Sequence, residues 1–244
     1  MRNLVFAAAI LAVLAPSALA DYNAGYVHID RVTNYYSGSG GEFRINPTNP
    51  GLLSNAAYSS LTKGIGGAAN SFQSFCVETT EFIDPPWDVE AWVSTTFIDE
   101  NNGLVTGPGS HAILGSKPYG DNLDPKTAYL YWQFATGVLG GYNYVPGAGR
   151  NASAAALQEA IWHIEQEPGY LVLGSLSAQA QAWVAAATAA GWTTIGNVRV
   201  INTYTYDSPA TPRQDMLYIV PAPAAALLGV IGIGLVGWVK RRLS

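Results

Sequence analysis

Residues 151–169 read NASAAALQEAIWHIEQEPG and predict the clearest helix of the chain. Alanine is frequent in this stretch, and alanine is the best helix former. Ser153 can cap the start of the helix, and Pro168–Gly169 end it. This helix is important for the fold class, because the regions before and after the helical part of the chain have the composition of strands.

Two further helices flank it. Residues 126–137 follow Asp124 and Pro125, which suit the N-cap and the first helical position, and residues 177–191 are again rich in alanine. Stretches with aromatic and β-branched residues predict strands before and after these helices, at residues 25–36, 42–46, 72–83, 91–97, 197–206 and 213–221. Strands, then helices, then strands, without an alternating strand–helix pattern, predict an α+β domain of mostly antiparallel strands with about three helices in its second half.

The first twenty residues have the three parts of a secretory signal peptide. Arg2 supplies the positive start, LVFAAAILAVLA is the apolar centre, and ALA at residues 18–20 is a small-residue cleavage site. We expect residues 1–20 to be removed and the mature chain to begin at Asp21. An uncleaved anchor helix is the alternative.

The C-terminus combines an apolar segment with a basic end. Residues 222–239, from Ala222 to Val239, carry no charge and predict a transmembrane helix; three basic residues follow, Lys240, Arg241 and Arg242. With the preceding prolines this layout resembles a PEP-CTERM sorting signal, although Ala222 stands where the common form has glutamate. The resemblance implies that residues 221–244 are a sorting tail handled by exosortase-type machinery. The protein would then be an inner-membrane-anchored precursor before it reaches the cell surface or extracellular matrix. A plain tail anchor is the alternative.

Residues 21–220 are long enough for an extracytoplasmic domain with its own core. The formal net charge of the whole chain is −5, and no basic stripe occurs, which argues against a nucleic-acid partner. Charged residues make up only 12%, which is typical of an exported β-rich module rather than a cytosolic enzyme. The chain has a single cysteine, Cys76, so a disulfide framework within it is excluded.

The predicted helix places one glutamine beside an apolar stripe. At 100° per residue, Gln158 and Trp162 lie at the edge of a stripe formed by Leu157, Ala160, Ile161 and Ile164. On periodicity alone, Gln158 is a polar residue at the core edge that makes a hydrogen bond.

Two short motifs change this interpretation. FCVE at residues 75–78 and LQEAIW at residues 157–162 together resemble the paired motifs of the thioester-forming domain of surface proteins. In that family a cysteine follows an aromatic residue, and a later helix carries a Gln-x-Ala-Ile-Trp core. Leu157 stands where the Gram-positive versions usually have threonine or serine.

The resemblance implies an internal thioester between Cys76 and Gln158. Such a bond attaches once, covalently, to amines on a target surface or matrix polymer, so it implies an adhesion protein, with neither an enzyme activity nor a cofactor. Water has to be excluded from the bond until the target arrives. We expect Phe75, Trp162 and Trp132 to shield it.

Other chemistries have weaker support. The main alternative is a noncovalent matrix or binding module in which Cys76 is an inert core residue. A Cys76–His163 hydrolase pair is disfavoured, because His163 lies about 140° round the helix from Gln158. The histidines are too scattered for a zinc site, and a calcium loop matches no full motif at Asp121, Asn122 and Asp124.

Overall fold

The structure is a computed structural model that describes residues 22–38, 40–49, 53–67, 69–79, 82–83, 88–94, 122–205 and 212–221. Ala20–Val220 forms one compact unit, and every helix and strand described here lies within it. The signal peptide predicted at residues 1–20 and the apolar segment predicted at residues 222–239 lie outside the described residues.

The described residues contain eight strands: β1 Tyr22–Asp30, β2 Tyr36–Ser37, β3 Gly40–Gly41, β4 Phe43–Pro47, β5 Phe72–Ser74, β6 Asp88–Ser94, β7 Val198–Tyr204 and β8 Pro212–Ile219. Six of them form one sheet in the order β5-β4-β1-β6-β7-β8, with every neighbouring pair antiparallel. The other two, β2 and β3, form a small hairpin. In β4, Phe43 and Ile45 are buried while Arg44 and Asn46 are partly exposed, as expected for a sheet with one face on the core.

The two edges of the sheet come together. The chain that leaves β5 at one edge pairs with β8 at the other: Cys76 forms an isolated bridge with Met216, and the Leu217 N–H donates to the Phe75 carbonyl at 3.1 Å. The sheet is therefore nearly closed, and Cys76 lies in the seam.

Three α-helices follow β6: α1 Pro125–Ala135, α2 Ala148–Ile164 and α3 Ala178–Ala190, with a short 3-10 turn at Leu173–Ser175 before the last. The predicted N-cap of α1 is confirmed, since the Asp124 side chain accepts from the Lys126 N–H. Ser177 caps α3 in the same way through the Ala180 N–H.

The predicted start of α2 is wrong. The helix begins at Ala148 after Gly147, about 1.4 turns before Ser153. Ser153 lies inside the helix, and its hydroxyl accepts from the Asn143 N–H at 3.0 Å in the preceding loop. The serine thus fastens the loop to the helix instead of capping the helix.

The predicted α+β class is also wrong. The architecture is mostly β: one nearly closed sheet to which three helices are added. Periodicity identifies single strands, whereas the sheet depends on pairing between distant runs, such as Val93 opposite Ile201. Across the described stretches, every helix is too short or too polar to cross a membrane.

The core lies between the sheet and helices α1 and α2. The stripe predicted on α2 is buried, with Leu157 and Ile161 fully inaccessible to solvent. Helix α1 contributes Tyr131, whose hydroxyl bonds the Tyr58 hydroxyl at 2.7 Å. The buried stripe therefore packs α2 against this core.

Candidate functional site

The structure brings Cys76 and Gln158 together although they are 82 residues apart in sequence. The Cys76 thiol donates to Oε1 of Gln158 at 3.1 Å, and Nε2 of Gln158 donates to the Cys76 carbonyl at 2.8 Å. Cys76 is 2% exposed and Gln158 is 1% exposed. A thiol therefore lies directly against a buried side-chain amide.

A third group contacts the same amide from the β2–β3 hairpin. The backbone N–H of Gly41 donates to Oε1 of Gln158 at 3.2 Å. Gly41 has a φ of 95°, in the region that favours glycine. At Gly40, a Cβ would overlap Cγ of Gln158 and would lie 2.7 Å from Cη2 of Trp162. The hairpin can approach α2 this closely because both residues are glycine.

The surroundings of the thiol keep it protonated. Burial raises the pKa of Cys76 above its usual value, the negative charge of Glu78 raises it further, and the positive charge of Arg31 lowers it. The Arg31 guanidinium lies over the Phe43 ring, 4.2 Å from its centroid. Nucleophilic use of this sulfur therefore requires that its proton be transferred within the site.

Two buried carboxylates act on the same thiol. Glu78 and Glu167 are both fully buried, and the charge of each raises the pKa of Cys76. Glu167 Oε2 accepts from the Thr79 N–H at 2.7 Å and from the Thr79 hydroxyl at 2.8 Å. Glu78 Oε2 accepts from the Asp215 N–H at 3.3 Å. Neither carboxylate was assigned a role from sequence.

The three expected shielding residues occupy different places. Trp162 is 6% exposed, lies beside Gly40, and has its ring 4.7 Å from that of Tyr170. Phe75 is fully buried and packs edge-to-face on Phe134. The ring of Trp132 lies 6.0 Å from that of Trp192, a residue that follows α3 in the chain. Trp162 thus lies on the Gln158 side of the site, with Tyr170 as an additional neighbour that sequence reasoning missed.

A buried ion pair lies next to the hairpin. Glu42, directly after Gly41, accepts from Nε of Arg150 at 2.6 Å and from its Nη2 at 2.8 Å. Tyr142 donates its hydroxyl to Glu42 Oε1 at 2.5 Å, and Gln73 donates its amide to Oε2 at 3.0 Å. Arg150 lies in the first turn of α2, the helix that carries Gln158. Sequence reasoning missed this pair, because its members are 108 residues apart and belong to no motif.

The alternative chemistries find little geometry to support them. His163 directs Nδ1 to the Tyr170 carbonyl at 2.7 Å, while Cys76 contacts Gln158. Asp124 is engaged by the Lys126 backbone and side chain. Asp121 lies outside the described residues, and within them no group of three or more His, Cys, Asp or Glu side chains could hold a metal ion.

Comparison with known proteins gives no match: no family model, no curated protein and no solved structure is significantly similar to this chain.

Proposed function

We propose that this chain is an exported surface or matrix protein that joins Cys76 to Gln158 in an internal thioester and uses the bond once to attach to an amine-bearing target. The observation that carries the proposal is the 3.1 Å contact between the Cys76 sulfur and Oε1 of Gln158. Both side chains are almost completely buried, which suits a bond that has to survive in water.

Bond formation is a simple acyl transfer. The Cys76 sulfur attacks the side-chain carbonyl carbon of Gln158, the C–S bond forms, and the C–N bond to Nε2 breaks. Nε2 leaves as ammonia and carries away the proton that the thiol gives up.

Attachment reverses the role of the sulfur. A primary amine attacks the same acyl carbon, an amide forms at position 158, and the C–S bond breaks. The sulfur takes the proton released by the amine and becomes the Cys76 thiol again. The protein does not return to its starting state, so this is a single covalent event and not turnover.

Export is part of the proposal. The sequence of residues 1–20 supports secretion, and the layout of residues 221–244 supports exosortase-type sorting to the cell surface or extracellular matrix. There the targets would be surface amines or a matrix polymer.

Amine capture tests the function. The purified protein is incubated with methylamine, digested, and analysed by peptide mass spectrometry. We expect methylamine on Gln158 and a newly alkylatable Cys76, in equal amounts. Gln181→Ala is the matched control, because Gln181 is a helical glutamine that donates to the Leu176 carbonyl and does not contact Cys76.

Cys76→Ser and Gln158→Ala should each abolish capture, whereas Gln181→Ala should leave it unchanged. Equal labelling of wild type and Cys76→Ser would contradict the proposal, as would a wild type that captures no amine at all.

A noncovalent binding module is the second candidate function. The raised pKa of Cys76 and its 2% exposure favour it, since these properties also describe an inert core thiol. In that case Cys76 reacts with alkylating reagents only after denaturation, and methylamine changes nothing.

A further inference from the structure

We propose that the backbone N–H of Gly41 is the oxyanion donor for the Cys76–Gln158 reaction, and that the Glu42–Arg150 ion pair is the positioning element that holds this donor in place. The inference rests on the proposed function and names the groups that make that site reactive.

The donor is needed because an unactivated amide is a poor electrophile. When the sulfur attacks, negative charge develops on Oε1 of Gln158. In the resting structure the Gly41 N–H already lies 3.2 Å from that oxygen, and Gln158 is 1% exposed. A donor fixed in a buried site stabilises the developing charge more strongly than water does.

The hairpin that carries this donor is small. Strands β2 and β3 have two residues each, and an isolated two-stranded hairpin is at best marginally stable. Its close approach to α2 also depends on the absence of a side chain at position 40 and on the positive φ of Gly41. The hairpin is too short to fix Gly41 by its own pairing. The next residue, Glu42, leads directly into β4 of the large sheet.

Glu42 also connects this segment to α2. It is the residue next to Gly41, and both of its carboxylate oxygens are bound by Arg150. Arg150 and Gln158 lie on one helix, eight positions or about 12 Å apart. The donor and its acceptor are therefore tied to the same rigid element.

Stability alone does not account for the pair. A buried ion pair loses its hydration, and apolar residues of similar volume often replace it at no cost. Here Tyr142 and Gln73 bind the carboxylate, and Nη2 of Arg150 also donates to the Leu61 carbonyl at 3.1 Å. What an apolar replacement could not reproduce is a directional connection from the residue after Gly41 to α2.

The test compares Arg150→Lys with Arg44→Lys. Lysine keeps the charge but cannot bind a carboxylate in two places. Arg44 is a matched control, because it also binds a carboxylate through two nitrogens, that of Asp30, but does not contact Gln158 or the hairpin donor. The full chain is isolated unreacted in denaturant and refolded by dilution into mild detergent. The loss of one ammonia is then followed by intact mass.

We expect Arg150→Lys to form the bond at least about tenfold more slowly than wild type, since removal of an oxyanion donor costs about 10²–10³ in rate. The rate of bond formation in Arg44→Lys should stay within about twofold of the wild-type rate, because the Gly41 N–H keeps its position. An infrared difference spectrum between intact and methylamine-opened protein gives a second readout. The thioester carbonyl band of Arg150→Lys should lie at higher frequency than that of Arg44→Lys, because its hydrogen bond is weaker.

Equal rates and equal bands in the two variants would overturn the positioning role while the thioester stands. A wild type that never loses ammonia would overturn the proposed function, and this inference with it. If Arg150→Lys does not fold, Glu42→Gln replaces it, because that variant keeps the size of the side chain and removes the negative charge of the ion pair. It should slow bond formation, and an unchanged rate and band would again overturn the role.

Discussion

Two arginine–carboxylate pairs of similar geometry lie in different surroundings. Arg150 binds Glu42 at 2.6 and 2.8 Å, and Arg44 binds Asp30 at 2.7 and 2.5 Å. The side chains of the first pair are 2% and 0% exposed, and those of the second are 15% and 26% exposed. We call them the inner pair and the outer pair.

The difference shows what each pair can contribute. Arg44 and Asp30 lie directly opposite each other on β4 and β1, so the outer pair repeats a connection that the strand ladder already makes. The inner pair joins Glu42, which lies between β3 and β4 and next to Gly41, to α2, a connection that no strand pairing makes. Burial makes the inner pair costly to break, and its location makes it relevant to the chemistry at Gln158.

The largest expected effect is on the free energy of unfolding when the arginine of each pair is replaced. Arg150→Met should lower the free energy of unfolding by about 3–5 kcal/mol, because it leaves the Glu42 carboxylate buried without its cation. Arg44→Met should cost about 0–1 kcal/mol, because Asp30 can turn to solvent. Urea unfolding of both variants checks this, and similar losses would remove the distinction between the pairs.

A smaller effect isolates one hydrogen bond of the inner pair. Tyr142→Phe should cost about 1.5–3 kcal/mol, because its hydroxyl donates to a charged carboxylate. The control Tyr144→Phe removes a hydroxyl that donates to the Phe134 carbonyl at 3.1 Å and accepts from the Leu139 N–H at 3.3 Å. Both partners are uncharged, so this change should cost about 1 kcal/mol. Thermal unfolding of both would contradict this ranking if Tyr144→Phe were the more damaging change.

The pH dependence of the free energy of unfolding tests whether the Cys76 thiol is shielded from water. Burial raises the pKa of Cys76 in the folded protein above the unfolded value of about 8.5, so above that pH the folded state retains a proton that the unfolded chain loses. The stabilisation is complete below about pH 8.5 and decreases by about 1.4 kcal/mol per pH unit above it.

This slope should appear in Gln158→Ala, in which the thiol cannot be consumed. It should be absent from the Cys76→Ser/Gln158→Ala double variant, which serves as the reference. Urea unfolding between about pH 7.5 and 9.5 limits the titration of tyrosines, and comparison with the reference variant cancels what remains of it. Identical profiles of the two variants would mean that the thiol is not desolvated.

The smallest effect is the response to salt. The Debye length falls from about 10 Å at 0.1 M salt to about 3 Å at 1 M, and exposed charges are screened more than buried ones. The coupling energy of the outer pair, below about 1 kcal/mol, should shrink in 1 M NaCl. That of the inner pair should not change. Double-mutant cycles at both salt concentrations measure this, and equal screening would make the two pairs equivalent.

Local features of the fold could be predicted from the sequence, whereas its assembly could not. Asp124 and Pro125 predict the start of α1, because a capping residue is next to its helix in the chain. The start of α2 was misplaced because Ser153 bonds the Asn143 N–H of a preceding loop. The nearly closed sheet depends on partners such as Cys76 and Met216, which only the folded chain brings together.

The candidate site shows the same limit. Cys76 and Gln158 were paired through a resemblance of motifs, and the thioester remains a proposal. Gly41, Glu42 and Arg150 carry no such motif, and Gly41 lies 117 residues from Gln158. A glycine pair before a glutamate gives no sign in the sequence that its backbone meets a side-chain amide. Only the distances and the burial of these groups identify them.

The intact mass of freshly purified wild-type protein, measured under denaturing conditions, tests the central claim most directly. We predict a mass lower than that of the mature sequence by one ammonia, and the full sequence mass for both Cys76→Ser and Gln158→Ala. A wild-type protein of full mass, with a Cys76 thiol that is alkylated once the chain is denatured, would contradict the thioester.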